Sequence, residues 1–185
     1  MTKSIDGLEA FIDGLRSIKG NLRCKVAFSA ALAGANVIKR RAKRNAITLG
    51  LRQSGALINN IAVKREREAP DGRAQYNLGV RHGRELGSKA RVTYSIRADG
   101  SIRKQYVDDP FYWWYDEFGT KRHVVKGRKG RAVAFQGRRG VVVQRQVVHP
   151  GVTPRPFIGP AVASEGDAAV KAMQDRVLKE LLGDG

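Results

Sequence analysis

Between residues 4 and 18, apolar side chains fall at Ile5, Leu8, Phe11, Ile12, Leu15 and Ile18. Spacings of three, four and seven put them on one stripe, which predicts a short amphipathic helix with Ser4 as its N-cap. Gly20-Asn21 interrupts the pattern, and a longer helix is expected from about Leu22 to Arg44. Val26, Ala30, Ala33 and Val37 run along one seam of this second helix. Ala27, Ala31, Gly34 and Ala35 keep its girth small, so a neighbouring backbone can approach closely. Lys39, Arg40, Arg41, Lys43 and Arg44 are placed in its last turns, where cations complement the helix dipole.

Beyond Gly50 the period shortens. Strands are expected at Ile58–Lys64, Tyr76–Arg81, Val92–Arg97 and Ile102–Val107. Ala98-Asp99-Gly100-Ser101 reads as the hairpin turn between the last two, because Asp-Gly readily supplies positive φ. Residues 66–73, with Pro70-Asp71-Gly72, and residues 82–89 read as surface loops. Six of the eight residues from Phe111 to Phe118 are aromatic. Asp109 as N-cap, Pro110 at the first helical position and Gly119 after the end predict a helix over 110–118. Phe111, Trp114, Tyr115 and Phe118 share one of its faces and are expected to be buried. Tyr112, Trp113 and Asp116 point elsewhere and, with Glu117 and Arg155, are candidates for contact with a partner subunit.

Residues 121–140 hold glycines with little periodicity and read as a basic loop, flexible or ordered by a partner. Val141–Val148 follows as one strand, and His149–Pro160, with four of the six prolines, as an extended segment. Ser164 with Asp167 resembles a capping box for a terminal helix, with Val170, Met173, Val177 and Leu181 as its stripe and Gly183 ending it. Helices at both ends and strands between predict an α+β fold. It comprises an N-terminal helical pair, a central antiparallel sheet with a short aromatic helix, and a C-terminal helix. The 185 residues suit one domain, with helices over 1–46, a β-rich core over 47–162 and the last helix over 163–183.

The net charge of +18 calls for a polyanion, an acidic partner surface or a solubility role. From Thr120 to Gly159 there are ten Lys/Arg and no acid. Lys121, Arg122, Lys126, Arg128, Lys129, Arg131, Arg138 and Arg139 are therefore candidates for contact with DNA or an acidic partner. With Trp113 and Trp114 beside them, single-strand stacking is a possible use.

Little else carries chemistry. No apolar run reaches membrane-spanning length, and Asp and Glu interrupt the amino-terminal apolar pattern, so neither a span nor a secretory signal is expected. Cys24 stands alone, which excludes an internal disulfide; it reads as a small buried residue of the second helix, in a reducing cytosol. His82, His123 and His149 lack ligand spacing, the glycine clusters lack the phosphate-loop pattern, and no serine has an activating His/Asp context. No metal, cofactor or catalytic residue is expected, and the chain is read as a non-enzyme.

Three elements then occur in order. They are Gly50-Leu51-Arg52-Gln53-Ser54, Tyr115-Asp116-Glu117-Phe118-Gly119-Thr120, and Pro154-Arg155-Pro156-Phe157-Ile158-Gly159-Pro160-Ala161. Together, behind two helices and before a terminal one, they resemble the neck and tail-completion proteins of tailed bacteriophages, a group related to minor tail protein Z. The resemblance covers residues 5–182. It implies a virion protein of the head–tail junction, made in the host cytoplasm and assembled as a ring, commonly hexameric, around the DNA passage. The implied partners are the head connector or head-closure protein and the tail terminator or tail tube, with packaged DNA touched without sequence preference. On this reading Phe118, Gly119, Pro156 and Phe157 fix the fold where the two later signatures meet, and Arg155 pairs with Glu117. The alternative is a nucleic-acid-binding protein without sequence specificity, acting through its basic loops.

Overall fold

A computed structural model describes residues 20–51, 54–67, 73–88, 90–127, 131–137 and 140–182. The expected helix over 4–18, Arg52 and Gln53 of the first signature, Pro70-Asp71-Gly72 and Gly183 lie outside these residues, as do Arg128, Lys129, Arg138 and Arg139. The fold is α+β, and the chain divides into two units, Met1–Phe111 with Phe157–Gly185, and Tyr112–Pro156. No helix among the described residues is long and apolar enough to cross a membrane.

The first unit is built on two long helices, α1 (Gly20–Thr48) and, after the second unit, α4 (Gly159–Leu182). In α1 the covered positions are Val26, Ala30, Gly34, Ala42 and Ala46; in α4 they are Ala161, Ala169 and Val177. Both sets run in multiples of four, the row that forms a ridge on a helix surface and fits a groove of its neighbour. Small side chains along these rows bring the helices close. A Cβ on Gly34 would lie 2.5 Å from Met173 Cε and 3.0 Å from the Ala169 carbonyl oxygen. Val26, Ala30 and Val177 form a core cluster against which Met173 packs.

Polar contacts fix the antiparallel register of this pair. Ser29 near the start of α1 donates to Glu180 at 3.1 Å and accepts from Arg176 at 2.7 Å. At the other end Arg41 and Arg44 approach Glu165 at 3.7 and 3.8 Å, and Asn45 Nδ2 donates to the Phe157 carbonyl at 3.1 Å. The basic run of α1 is thus one turn inside the helix, which continues to Thr48, and a carboxylate of α4 answers part of it rather than the helix terminus. Burial, with Lys39 nearby, lowers the Lys43 pKa. Cys24 is exposed on α1, not buried.

α4 begins at Gly159, five residues before the expected cap. Pro160 falls in its first turn, where a missing N–H removes no helical bond. Ser164 lies within the helix, with its hydroxyl 3.5 Å from the Ala161 carbonyl. Of the expected stripe, Val177 is buried and Met173 half-buried, while Leu181 is exposed.

The segment expected as a strand from Ile58 is first a helical turn, α2 (Ala56–Asn60), with Ala56, Leu57 and Ile58 buried. It feeds β1 (Ile61–Arg65), which pairs antiparallel with β2 (Tyr76–Val80) from Ile61↔Val80 to Arg65↔Tyr76. Arg65 sits 3.4 Å from the Phe28 ring centroid, and Tyr76 meets that ring edge-on, so this hairpin is tied to α1. Lys64 donates to Glu85 at 2.8 Å, and that bond holds the Glu85 carboxyl below its usual range.

β3 (Val92–Ile96) and β4 (Ile102–Tyr106) form the expected hairpin. Gly100 has φ +78°, and Asp99 accepts from the Ser101 amide at 2.9 Å and its hydroxyl at 2.6 Å, which lowers the Asp99 pKa. In the second unit lie α3 (Trp113–Phe118), β5 (His123–Lys126), β6 (Val133–Gly137), β7 (Gly140–Gln144) and β8 (Gln146–His149). The antiparallel pairing is as expected, but it forms four separate two-stranded pairs among the described residues rather than one central sheet. The basic loop over 121–140 contains β5 and β6, and the single strand over 141–148 is two, β7 and β8.

Candidate functional site

In the second unit, α3 runs into Gly119-Thr120, and the chain returns along Gly151–Arg155. Thr120 and Val152 exchange backbone hydrogen bonds at 3.0 and 3.1 Å, and the Thr120 hydroxyl also accepts from the Val152 amide at 3.0 Å. Gly119 has φ +68°, and a Cβ there would lie 2.6 Å from the Val152 carbonyl oxygen and 3.0 Å from the Pro154 nitrogen. Gly151, at φ +96°, is pressed closer still to the Thr120 carbonyl. The Arg155 amide donates to the Asp116 carbonyl at 2.6 Å, and its guanidinium pairs with the Asp116 carboxylate. Residues of the second and third signatures therefore interlock in one joint.

Three corrections follow. The Arg155 ion pair is made with Asp116, one residue before the Glu117 expected. α3 starts at Trp113, with no side-chain cap at Tyr112, while Asp109 instead accepts from the Gly83 amide at 3.0 Å. The aromatic face expected to be buried is open: Phe111, Trp114, Tyr115 and Phe118 are 62%, 54%, 48% and 58% exposed. The buried residues of α3 are Asp116 and Glu117, while Tyr112 and Trp113 are half-buried. Helical spacing identifies which side chains share a face, but a six-residue helix gives no preference for which face is covered. Trp114 stacks tilted on Phe118 at 4.2 Å between centroids and edge-on to Trp113 at 5.4 Å, so the exposed rings form one cluster. Pro156 is exposed; Gly119, as expected, is fixed by close contact, and Phe157 is fully buried.

The Asp116–Arg155 pair is asymmetric. The carboxylate side chain is 9% exposed, and the arginine 47%. Removing Arg155 strands a buried charge, whereas removing the carboxylate leaves a guanidinium that water can reach. Arg155→Ala should cost about 2–3 kcal/mol, a buried-pair loss discounted for the exposed partner, and Asp116→Asn about 1 kcal/mol. Equal losses in denaturant titrations would refute that asymmetry.

From the joint rises a ribbon of two ladders, β5 with β8 and β6 with β7, separated on the returning strand by Arg145 alone. Each ladder carries valines on both faces. Val125, Val147 and Val142 are half-buried, whereas Val124, Val148, Val141 and Val143 are 50%, 49%, 69% and 62% exposed. Among the described candidates for anion contact, Lys121, Arg122, Lys126 and Arg131 are all exposed, as is Arg145. At the base His123 and His149 face each other across the ladder, 5.2 Å between ring centroids. Each Nδ1 is engaged by backbone, with the Lys121 carbonyl at 2.8 Å and the Gly151 amide at 3.1 Å.

The first unit has its own uncovered face. On the β3–β4 hairpin, Tyr94, Ile96 and Ile102 share one side and are 65%, 80% and 71% exposed, with Thr93, Ser95, Arg103 and Gln105 opposite. Sequence reading missed this exposure and the ribbon valines. The doublets Val124-Val125 and Val147-Val148 and the triplet Val141-Val142-Val143 were the available signal. An open cleft of about 300 Å³ in the same unit is lined by Ser54, Asn59, Asn60, Arg91 and Asp108 among others, the last two paired at 2.7 Å. No histidine or cysteine lines it, so Ser54 has no base there. Among the described residues, no group of three or more His, Cys, Asp and Glu could hold a metal ion. Comparison with family models, curated proteins and solved structures gives no match.

Proposed function

We propose that the chain is a virion structural protein of the head–tail junction of a tailed bacteriophage. It assembles as a ring, of about six subunits on the family resemblance, and joins the tail to the head connector around the DNA passage. The interlock of Tyr115–Thr120 with Val152–Arg155 carries this reading, because segments that resemble the family's signatures are mutually dependent through Gly119, Asp116 and Arg155. The exposed apolar faces support it as well: a ribbon with valines on both sides needs cover from a partner.

The exposed cluster of Trp114, Tyr115 and Phe118 beside Lys121 and Arg122 favours a second reading, non-specific nucleic-acid binding by stacking and charge. Light scattering of the purified protein at low and high salt, with and without DNA, separates the two. A DNA-independent ring that captures connector or tail-tube protein is the expected result. A monomer that binds DNA tightly at low salt and releases it at high salt would replace the ring reading with the second.

A further inference from the structure

We propose that the ribbon over residues 123–149 of one copy docks on the outer face of α4 of a second copy, head to tail. This rests on the ring reading and names the surfaces that would build it. Within the chain the ribbon's charge is unanswered: Lys121, Arg122, Lys126, Arg131 and Arg145 are exposed without an acidic partner among the described residues. The acids are distributed the other way. Every described carboxylate has a partner within the chain except Asp167 and Asp175, and both are exposed on α4.

Those two carboxylates share a surface. At 100° per residue, Asp167, Lys171, Asp175, Leu178 and Leu182 fall within an arc of about 80°, on the side of α4 away from Ala161, Ala169 and Val177. Leu178 and Leu182 are 56% and 79% exposed. The stripe therefore carries two unpaired carboxylates, Lys171 between them and two exposed leucines, a net charge of −1, and the ribbon is basic and apolar, with Lys126 on the same face as Val124 and Val148. The stripe from Asp167 to Leu182 runs about 24 Å as helix, within the roughly 33 Å that the residues from Gly140 to His149 span as strand.

A nucleic acid would answer the cations but leave the valines in water. A second copy answers both. Because the two surfaces differ, the contact is heterologous, and repetition generates a ring where the rotation closes.

Salt alone is a poor test, since it screens both this attraction and the mutual repulsion of copies carrying +18. Charge exchange is cleaner. Sedimentation or light scattering would compare full-length wild type, Asp167→Lys/Asp175→Lys and Arg131→Glu/Arg145→Glu. All four positions are exposed, and circular dichroism checks that the fold persists. Asp167→Lys/Asp175→Lys should self-associate at least about 100-fold more weakly than wild type, because its new lysines face the basic ribbon. Arg131→Glu/Arg145→Glu should be weakened less, since Lys121, Arg122 and Lys126 keep its ribbon cationic, and a one-to-one mixture should recover part of the loss where the new lysines meet the new glutamates. Assembly unchanged in both variants overturns this interface and leaves the ring reading standing. A wild type that stays monomeric, or gains mass only with DNA, overturns both.

Discussion

Phe157→Ala should lower the stability of the helical unit by about 3–5 kcal/mol, the range for emptying a fully buried phenylalanine site. Phe157 has no exposed surface and is the largest fully buried side chain among the described residues. It immediately precedes α4, and its carbonyl accepts from Asn45 near the end of α1, so it sits where the two long helices are joined. Ala161, one turn on, and Ala42 and Ala46 of α1 are fully buried as well. For a chain of this length the loss corresponds to a fall in melting temperature of roughly 6–20 °C. Far-UV circular dichroism is the right probe, because α1 and α4 dominate the helical signal. A midpoint within a degree of wild type would remove Phe157 from the core of the fold.

What the sequence made legible was local and long. α1 announced itself over about eight turns, and its small residues anticipated the close approach at Gly34. The β3–β4 hairpin was readable because Asp99-Gly100 fixes the turn within four residues and both strands alternate beside it. Even there only the pairing was visible. Alternation assigns Tyr94, Ile96 and Ile102 to one face, but whether anything covers that face depends on chains the sequence does not contain.

The ribbon was illegible for a different reason. β5 is four residues long and pairs with β8, more than twenty positions away, across a glycine-rich stretch with no turn signature of its own. Such short runs look the same as loop. The start of α4 was missed because Pro160 reads equally as the end of an extended segment and as the first turn of a helix. At the candidate site, the signature order pointed to the right residues and the wrong physics. Asp116 and Glu117 are the only charged side chains of an otherwise aromatic helix, yet they are the covered groups and the rings are open. A buried carboxylate needs a specific partner, and a sequence does not show that Arg155, thirty-nine residues later, returns to provide it.

Gly151→Ala should be the most damaging single change in the joint, at about 3 kcal/mol or more. Two costs add. An alanine at φ +96° occupies backbone conformation that L side chains avoid, worth about 1–3 kcal/mol. Its Cβ would also drive into the Thr120 carbonyl, which exchanges hydrogen bonds with Val152, so relief requires opening a bridge worth about 1 kcal/mol per bond. Gly100→Ala is the control that separates these terms. Gly100 has a similar positive φ of +78°, but nothing lies within 4 Å of the added Cβ, so only the conformational cost applies, about 1 kcal/mol. Trp113 and Trp114 both lie in the second unit, so tryptophan fluorescence during denaturation reads the joint for Gly151→Ala, while far-UV circular dichroism reads the Gly100→Ala control in the first unit. If Gly151→Ala cost no more than Gly100→Ala, the Thr120–Val152 bridge would be yielding freely. The joint would then rest on Gly119 against Pro154 and on Asp116 with Arg155, and the bridge would add nothing to the observation that carries the proposed function.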